Sequence, residues 1–302
     1  MRARAAKAPD QKAFEEQTRF GYRLAYSAPW IHPNPIAQLD QMSVAEIASA
    51  HAAVPPGVVA RFHMNLLNPA QVPDLRGLKD RHYFDHTGFE RHRGIKDLMR
   101  FASLEDGGEV FLYRFGDFVP SGKLPDPGAL LRYSDEQLYA LAQYLYSLKP
   151  PPNPNKFDKQ AAKGEKIFER EGCSGCHTPP LYTNNKLTPA EGFKAPEDHL
   201  KRFEIMNVTL GTDPGLAMKT RRGTGYYKVP SLKGVWYRGP FEHSGSVATL
   251  EEWFDANRTR EDYTPGGYKG YGVEKRAVRG HRFGLNLSAE DRKALIAFLK
   301  TL

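Results

Sequence analysis

The sequence predicts a mainly α-helical fold assembled from two tandem modules. Helical periodicity recurs along the chain, while the period-two alternation of half-buried strands is scarce. A stiff proline-rich connector, LKPPPNPN at residues 148–155, divides the 302 residues near their midpoint. Segments on either side of it match each other. PDLRGLKDRHYFDHTG (73–88) aligns without a gap to PSLKGVWYRGPFEHSG (230–245), an offset of 157. SDEQLYALAQYLYSL (134–148) aligns to SAEDRKALIAFLKTL (288–302), an offset of 154.

Taken in order, the first module covers 1–150 and ends in an amphipathic helix over 134–148. The connector follows, and the second module covers 156–302. Its first helix is read from FDKQAAKGEKIFEREG, where Phe157, Ala161, Gly164, Ile167 and Phe168 share one face. Its last helix runs from Ser288 to the C-terminus. Both terminal helices open with a serine cap, Ser134 and Ser288, and carry Gln137 or Asp291 three positions on, where a reciprocal cap forms.

Composition places the chain among ordinary globular proteins, with 40% hydrophobic and 26% charged residues. The net charge of +8 does not indicate nucleic acid, because Lys and Arg alternate with Asp and Glu and no nucleic-acid motif is present. Such a surface suits an acidic redox partner or plain solvation equally well. No run of 18 apolar residues exists, so no membrane span is expected.

Both cysteines lie in EREGCSGCHTPPLY, residues 169–182, three apart and followed at once by His177. Random placement yields such a C-x-x-C-H about once in 5,000 sequences of this composition. A thioredoxin-like disulfide follows a strand, and here a helix precedes Cys173. A zinc site needs a second ligand pair, which the sequence lacks. Inert buried thiols have no need of His177. The remaining reading is c-type haem attachment, with Cys173 and Cys176 as thioether anchors and His177 as the iron ligand. Two covalent anchors fix the porphyrin edge, so the adjacent imidazole falls beneath the iron. One covalent haem c is therefore expected, in a protein matured outside the bacterial inner membrane and hence periplasmic. The opening MRARAAKAPDQ has charge but no apolar core of signal-peptide length, so a mature form or a clipped start is expected.

VPSLKGVWYRGPFEHSGSVATLEEWFD and GHRFGLNLSAEDRKALIAFLKTL, behind the C-x-x-C-H, resemble the C-terminal module of bacterial dihaem cytochrome c peroxidases. The resemblance extends to relatives that mature tryptophan tryptophylquinone, the MauG type, or cleave polyisoprenes, the rubber-oxygenase type. It is close over about 157–302 and weaker, through the repeat, over 35–150. It implies two cytochrome c-like helical modules, one haem relaying electrons and the other meeting peroxide or oxygen. This sequence departs from that pattern twice. Residues 16–20, which the offset places opposite the haem motif, read EQTRF, so the first module carries no visible haem. The family's HDG is HSG at His243–Gly245.

The ligand on the far side of the iron decides between wire and catalyst. His281, in the loop before the last helix, is the leading candidate. Met218, Tyr263 and an open position remain alternatives. His243 recurs as His86 in the repeat, which favours a structural role over proton transfer in a distal pocket. Trp236, Tyr226 and Tyr227 read first as core and second as an electron relay. Two functions follow: a peroxidase-like oxidoreductase, or a non-catalytic electron-transfer cytochrome c or haem-bearing subunit of a larger complex. Either expects a protein electron donor or acceptor, such as another cytochrome or a cupredoxin.

Overall fold

The computed structural model describes residues 41–60, 67–105, 133–220 and 223–302. The EQTRF stretch at 16–20 and the glycine- and proline-containing stretch FGDFVPSGKLPDPG at 115–128 lie outside the described residues. Helix, 3-10 turns included, is the leading regular structure, at about 35% of the described residues. Turns and loops make up most of the remainder. The helical expectation therefore holds in kind but not in proportion, because 27 glycines and 23 prolines punctuate the chain into short elements.

The elements run α1 (Val44–Ala52), β1 (Val58–Val59), β2 (Ala70–Gln71), a 3-10 turn (Leu78–Asp80), β3 (Tyr83–Phe84), β4 (Glu90–Arg91), α2 (Ile95–Glu105) and α3 (Asp135–Ser147). After the connector come α4 (Lys159–Arg170), a 3-10 turn (Cys173–Gly175), β5 (Leu187–Pro189), α5 (Glu197–Arg202), α6 (Gly215–Met218) and β6 (Tyr226–Lys228). The chain ends with α7 (Leu250–Trp253), a 3-10 turn (Ala256–Thr259) and α8 (Ala289–Lys300). The strands form three antiparallel pairs, β1 with β2, β3 with β4 and β5 with β6.

Two compact units result. One comprises the described part of Met1–Pro73 together with His86–Phe89 and Pro152–Leu302, and the other comprises Asp74–Asp85 and Glu90–Pro151. In the second unit α2 packs on α3 around Leu78, Phe84, Leu98 and Ala142. Ser134 caps α3 in the reciprocal arrangement its spacing predicts, accepting from the Gln137 N–H while Gln137 accepts from the Ser134 N–H. In the first unit α4 crosses α8, and Ile167, Phe168, Leu250, Phe254, Leu295 and Phe298 form the core. The crossing is close because Gly164 has no side chain: a β-carbon there would sit 2.0 Å from the Ala294 carbonyl oxygen. Phe157 departs from the predicted face. Asp158 is the N-cap of α4, so Phe157 precedes the helix and is exposed, touching only the edge of Phe298 at 6.4 Å.

The offset of 157 reappears in backbone conformation. Gly77 and Gly234, Asp85 and Glu242, and Gly88 and Gly245 all have positive φ, between 64° and 76°. The Phe84–Glu90 strand pair has its counterpart in the Phe241–Val247 bridge. The two turns are also exchanged. The Lys228 N–H donates to the His86 carbonyl at 2.9 Å, and the Gln71 N–H, at the equivalent position, donates to the His243 carbonyl at 2.8 Å. A β-carbon on Gly88 would meet Leu187 Cδ2 at 2.4 Å, and one on Gly245 would meet Val58 Cγ2 at 2.5 Å. Each hairpin thus docks the other copy's turn, which is why His86–Phe89 joins the first unit. Glycine is required at both positions twice over, by left-handed φ and by the neighbouring strand.

Candidate haem site

The site begins where α4 ends. Gly172, with φ 74°, terminates the helix and starts the 3-10 turn that carries Cys173. Within it the His177 N–H donates to the Cys173 carbonyl at 2.8 Å, so the two cysteines and the histidine are fixed by one local turn. Burial raises the Cys173 thiol to about 11 and pushes Cys176 up in the same direction. That disfavours the thiolate at ordinary pH. Met206 closes on this side, its sulfur 3.9 Å from Cys176 Sγ and 2.9 Å from Asn184 Nδ2.

His177 is buried, and its Nδ1 lies 3.2 Å from the Tyr182 carbonyl and 3.1 Å from the Pro230 carbonyl. Both partners only accept, so Nδ1 carries the hydrogen and Nε2 presents its lone pair. Burial lowers the imidazole to about 4, which keeps it neutral and able to ligate. Opposite stands His281, its ring centre 6.2 Å from that of His177. His281 adopts φ 46°, donates its N–H to the Leu210 carbonyl at 2.9 Å, and has a buried Nδ1 with no partner among the described residues. Burial and then the nearby His177 lower it to about 3. Trp253 and Phe283 flank it, at 5.2 and 5.4 Å between ring centres.

The other candidates lie elsewhere. Met218 packs on the cluster of Ala70, Ala190, Leu216, Ala217 and Tyr227. The Tyr263 hydroxyl donates to Glu252 at 2.5 Å, so its oxygen is engaged in holding the 248–266 loop. His243 faces the buried Glu242 carboxylate, stacks on Tyr227 at 4.5 Å, and lies within 3.2 Å of the Tyr227 hydroxyl. Glu242 Oε2 in turn accepts from the Ser244 N–H and hydroxyl, so the HSG turn is an internally bonded unit. Tyr226 and Tyr227 are buried, and Trp236 lies edge-on to Tyr237 at 4.9 Å. Among the described residues no group of three His, Cys, Asp or Glu side chains forms a metal cluster, and no helix is long and apolar enough to cross a membrane.

One participant escaped the sequence reading. Arg258, 1% exposed, donates to four main-chain carbonyls around His281. An arginine in NRTRED reads as solvated surface. Its partners are carbonyl oxygens, which leave no side-chain signature to match.

Known proteins resemble this chain over part of its length. The chain is 26% identical over 160 residues to cytochrome-c peroxidase IdrP2 of Pseudomonas sp. (strain SCT), a match covering 48% of this chain and 39% of the relative. It is 28% identical over 144 residues to the methylamine utilization protein MauG of Methylorubrum extorquens, covering 47% of this chain and 34% of MauG. The chain is similar over about half its length to bacterial cytochrome c peroxidases and MauG. These are names of a haem oxidoreductase family, as the resemblance implied. The matched stretch spans about two fifths of the length of the peroxidases. No family model matches the chain. Among solved structures, a MauG-like protein associated with microbial copper homeostasis is similar at a TM-score of 0.34 and 16% identity, over 68% of this chain and 61% of that one, a likeness too slight to carry weight.

Proposed function

We propose that residues 156–302 form a cytochrome c-like module carrying one haem c, that 1–150 form its degenerate tandem partner, and that the protein is a periplasmic electron-transferring oxidoreductase of the cytochrome c peroxidase type. The observation that carries this reading is the His177–His281 pair. Two imidazoles on opposite sides of one metal, each about 2 Å from it, have ring centres roughly 6 Å apart, and these stand at 6.2 Å. The orphaned Nδ1 of His281 is a second sign that the site is shaped for a group it meets only when loaded.

Cys173 and Cys176 would anchor the porphyrin, and His177 and His281 would hold the iron. A haem so held supplies one-electron ferric–ferrous chemistry. The chain's own residues do the rest. The Tyr182 and Pro230 carbonyls fix the His177 tautomer and ring plane. Trp253 and Phe283 pack beside His281 and limit how its ring can turn. Two protein ligands leave no open position, so this centre passes electrons to or from a partner protein such as a cytochrome or cupredoxin.

The test is the visible spectrum of protein matured in a host that attaches haem c. A low-spin, six-coordinate ferric spectrum unmoved by cyanide or peroxide is expected. A high-spin iron that reacts with peroxide would overturn the electron-transfer reading and make this centre the catalyst. Replacing His281→Ala should abolish the low-spin spectrum; an unchanged spectrum removes His281 as ligand.

A further inference from the structure

Arg258 sits in the 3-10 turn after α7 with its guanidinium inside the protein. Its Nε donates to the Trp253 carbonyl at 2.8 Å and its Nη1 to the Val278 carbonyl at 2.7 Å. Its Nη2 donates to the Gly280 and His281 carbonyls at 3.1 and 2.8 Å. The Val278 N–H returns a bond to the Arg258 carbonyl at 2.6 Å. One side chain thus ties the end of α7 to three carbonyls in the four-residue stretch ending at His281. That stretch needs tying. His281 holds a left-handed backbone, a conformation a residue with a β-carbon keeps only when its surroundings impose it. The Arg258 guanidinium also lies 5.1 Å from the centre of the Trp253 ring, and Trp253 contacts His281. The ligand candidate is therefore clamped by its backbone and walled by a ring that the same arginine packs.

The charge has no close counterion. No carboxylate among the described residues forms an ion pair with Arg258; Glu242 and Asp255 act on it only at longer range. A buried arginine bonded solely to neutral carbonyls is costly to keep, and in a medium of low dielectric its field reaches nearby groups with little screening. A fixed positive charge beside an iron centre favours the ferrous state, which carries one positive charge fewer.

Resting on the reading of His281 as the ligand opposite His177, we propose that Arg258 is a positioning residue. It holds the His281 loop in ligating geometry and, as an unpaired buried cation, raises the reduction potential of the haem.

The experiment uses the haem-loaded full chain with Arg258→Lys, Arg258→Met and His281→Ala. Lysine keeps the charge but cannot span four carbonyls; methionine keeps bulk and loses both. Ferric spectra are recorded with and without imidazole, and midpoint potentials are measured in saturating imidazole so that the axial ligands match. The expected result is a high-spin fraction in Arg258→Lys and a larger one in Arg258→Met, both returned to low spin by imidazole. Under imidazole the potential of Arg258→Met shifts negative while that of Arg258→Lys stays near the parent's. Native spectra and potentials in both variants, with only a lowered melting temperature, would overturn the proposal and leave Arg258 a packing residue. Where Arg258→Met yields no holoprotein, Arg258→Lys decides alone, since an unperturbed low-spin spectrum there overturns the positioning role. A native spectrum in His281→Ala would overturn the ligand assignment itself, a result separate from the Arg258 outcomes.

Discussion

The terminal helices of the two repeats, α3 and α8, both begin with a serine cap and share an apolar pattern, yet they bury different positions. In α8, Leu295 and Phe298 are 1% and 2% exposed beneath α4. The residues 154 positions earlier in α3, Leu141 and Tyr144, are 42% and 61% exposed. The turns that precede these helices behave differently: 77–90 and 234–247 keep the same left-handed positions and the same strand pairing. Turn geometry is encoded locally by glycine and short polar residues, so it persists wherever the motif does. Burial of a helix face depends on a partner, and for α8 the partner is the helix that presents the haem motif.

The largest effect expected from breaking this arrangement is loss of the haem proposed for the second repeat. His177→Ala removes the proposed iron ligand and leaves the half-buried Cys173 and Cys176 thiols without a neighbouring imidazole. Holoprotein yield, read by haem stain and ferric spectrum, should fall to background. Normal loading and a native spectrum would show that the 173–177 turn is not a haem attachment site.

The next effect concerns the HSG turn. Burial works against ionisation of Glu242, but the facing His243 with the Ser244 hydroxyl and N–H outweighs it and holds the carboxyl at about 2, below its ordinary 4.5. A depressed carboxylate stabilises the fold above the ordinary value and loses that contribution as pH falls through the window from about 4.5 to about 2. Glu242→Gln should therefore cost on the order of 3–5 kcal/mol near neutrality, because it strips one partner from a buried pair. The difference from the parent should shrink steadily as pH falls through that window. Urea midpoints from pH 7 to pH 3 check this, and a constant difference would place the effect in packing.

Much of this was legible in the sequence, and the division between what was and what was not has a physical basis. The α4 face from Ala161 to Phe168 and the serine N-caps at Ser134 and Ser288 depend on residues within a few positions of each other, so spacing alone predicts them, though of the two only Ser134 makes the reciprocal box. The repeat was visible too, through His86–Gly88 and His243–Gly245. Its exchange was not, because the pairing of Lys228 with His86 and of Gln71 with His243 uses main-chain atoms that any residue owns. Arg258 was hidden for the same reason. The share of helix was overestimated because periodic segments draw the eye, whereas the long glycine-rich runs between 178 and 288 fold into turns set by distant contacts.

The comparison of α3 with α8 sharpens further in the core they do not share. Leu295→Ala should cost about 2–5 kcal/mol, the range for emptying a packed leucine site. Gly164→Ala should add strain of about 1–3 kcal/mol by driving a methyl into the Ala294 carbonyl. Both are measured by urea denaturation of the holoprotein, and a cost below 1 kcal/mol for either would mean that α4 and α8 separate readily.

The smallest effects belong to α3. Leu141→Ala and Tyr144→Ser change side chains that stand largely in water, so each should stay within about 0.5 kcal/mol of the parent. The contrast with Leu295→Ala is informative because the helices share a cap and a pattern, leaving burial as the variable. A loss of more than 2 kcal/mol for Leu141→Ala would show that this face is covered in solution. In that event α3 would bury a second face besides the one that Leu138 and Ala142 already turn inward.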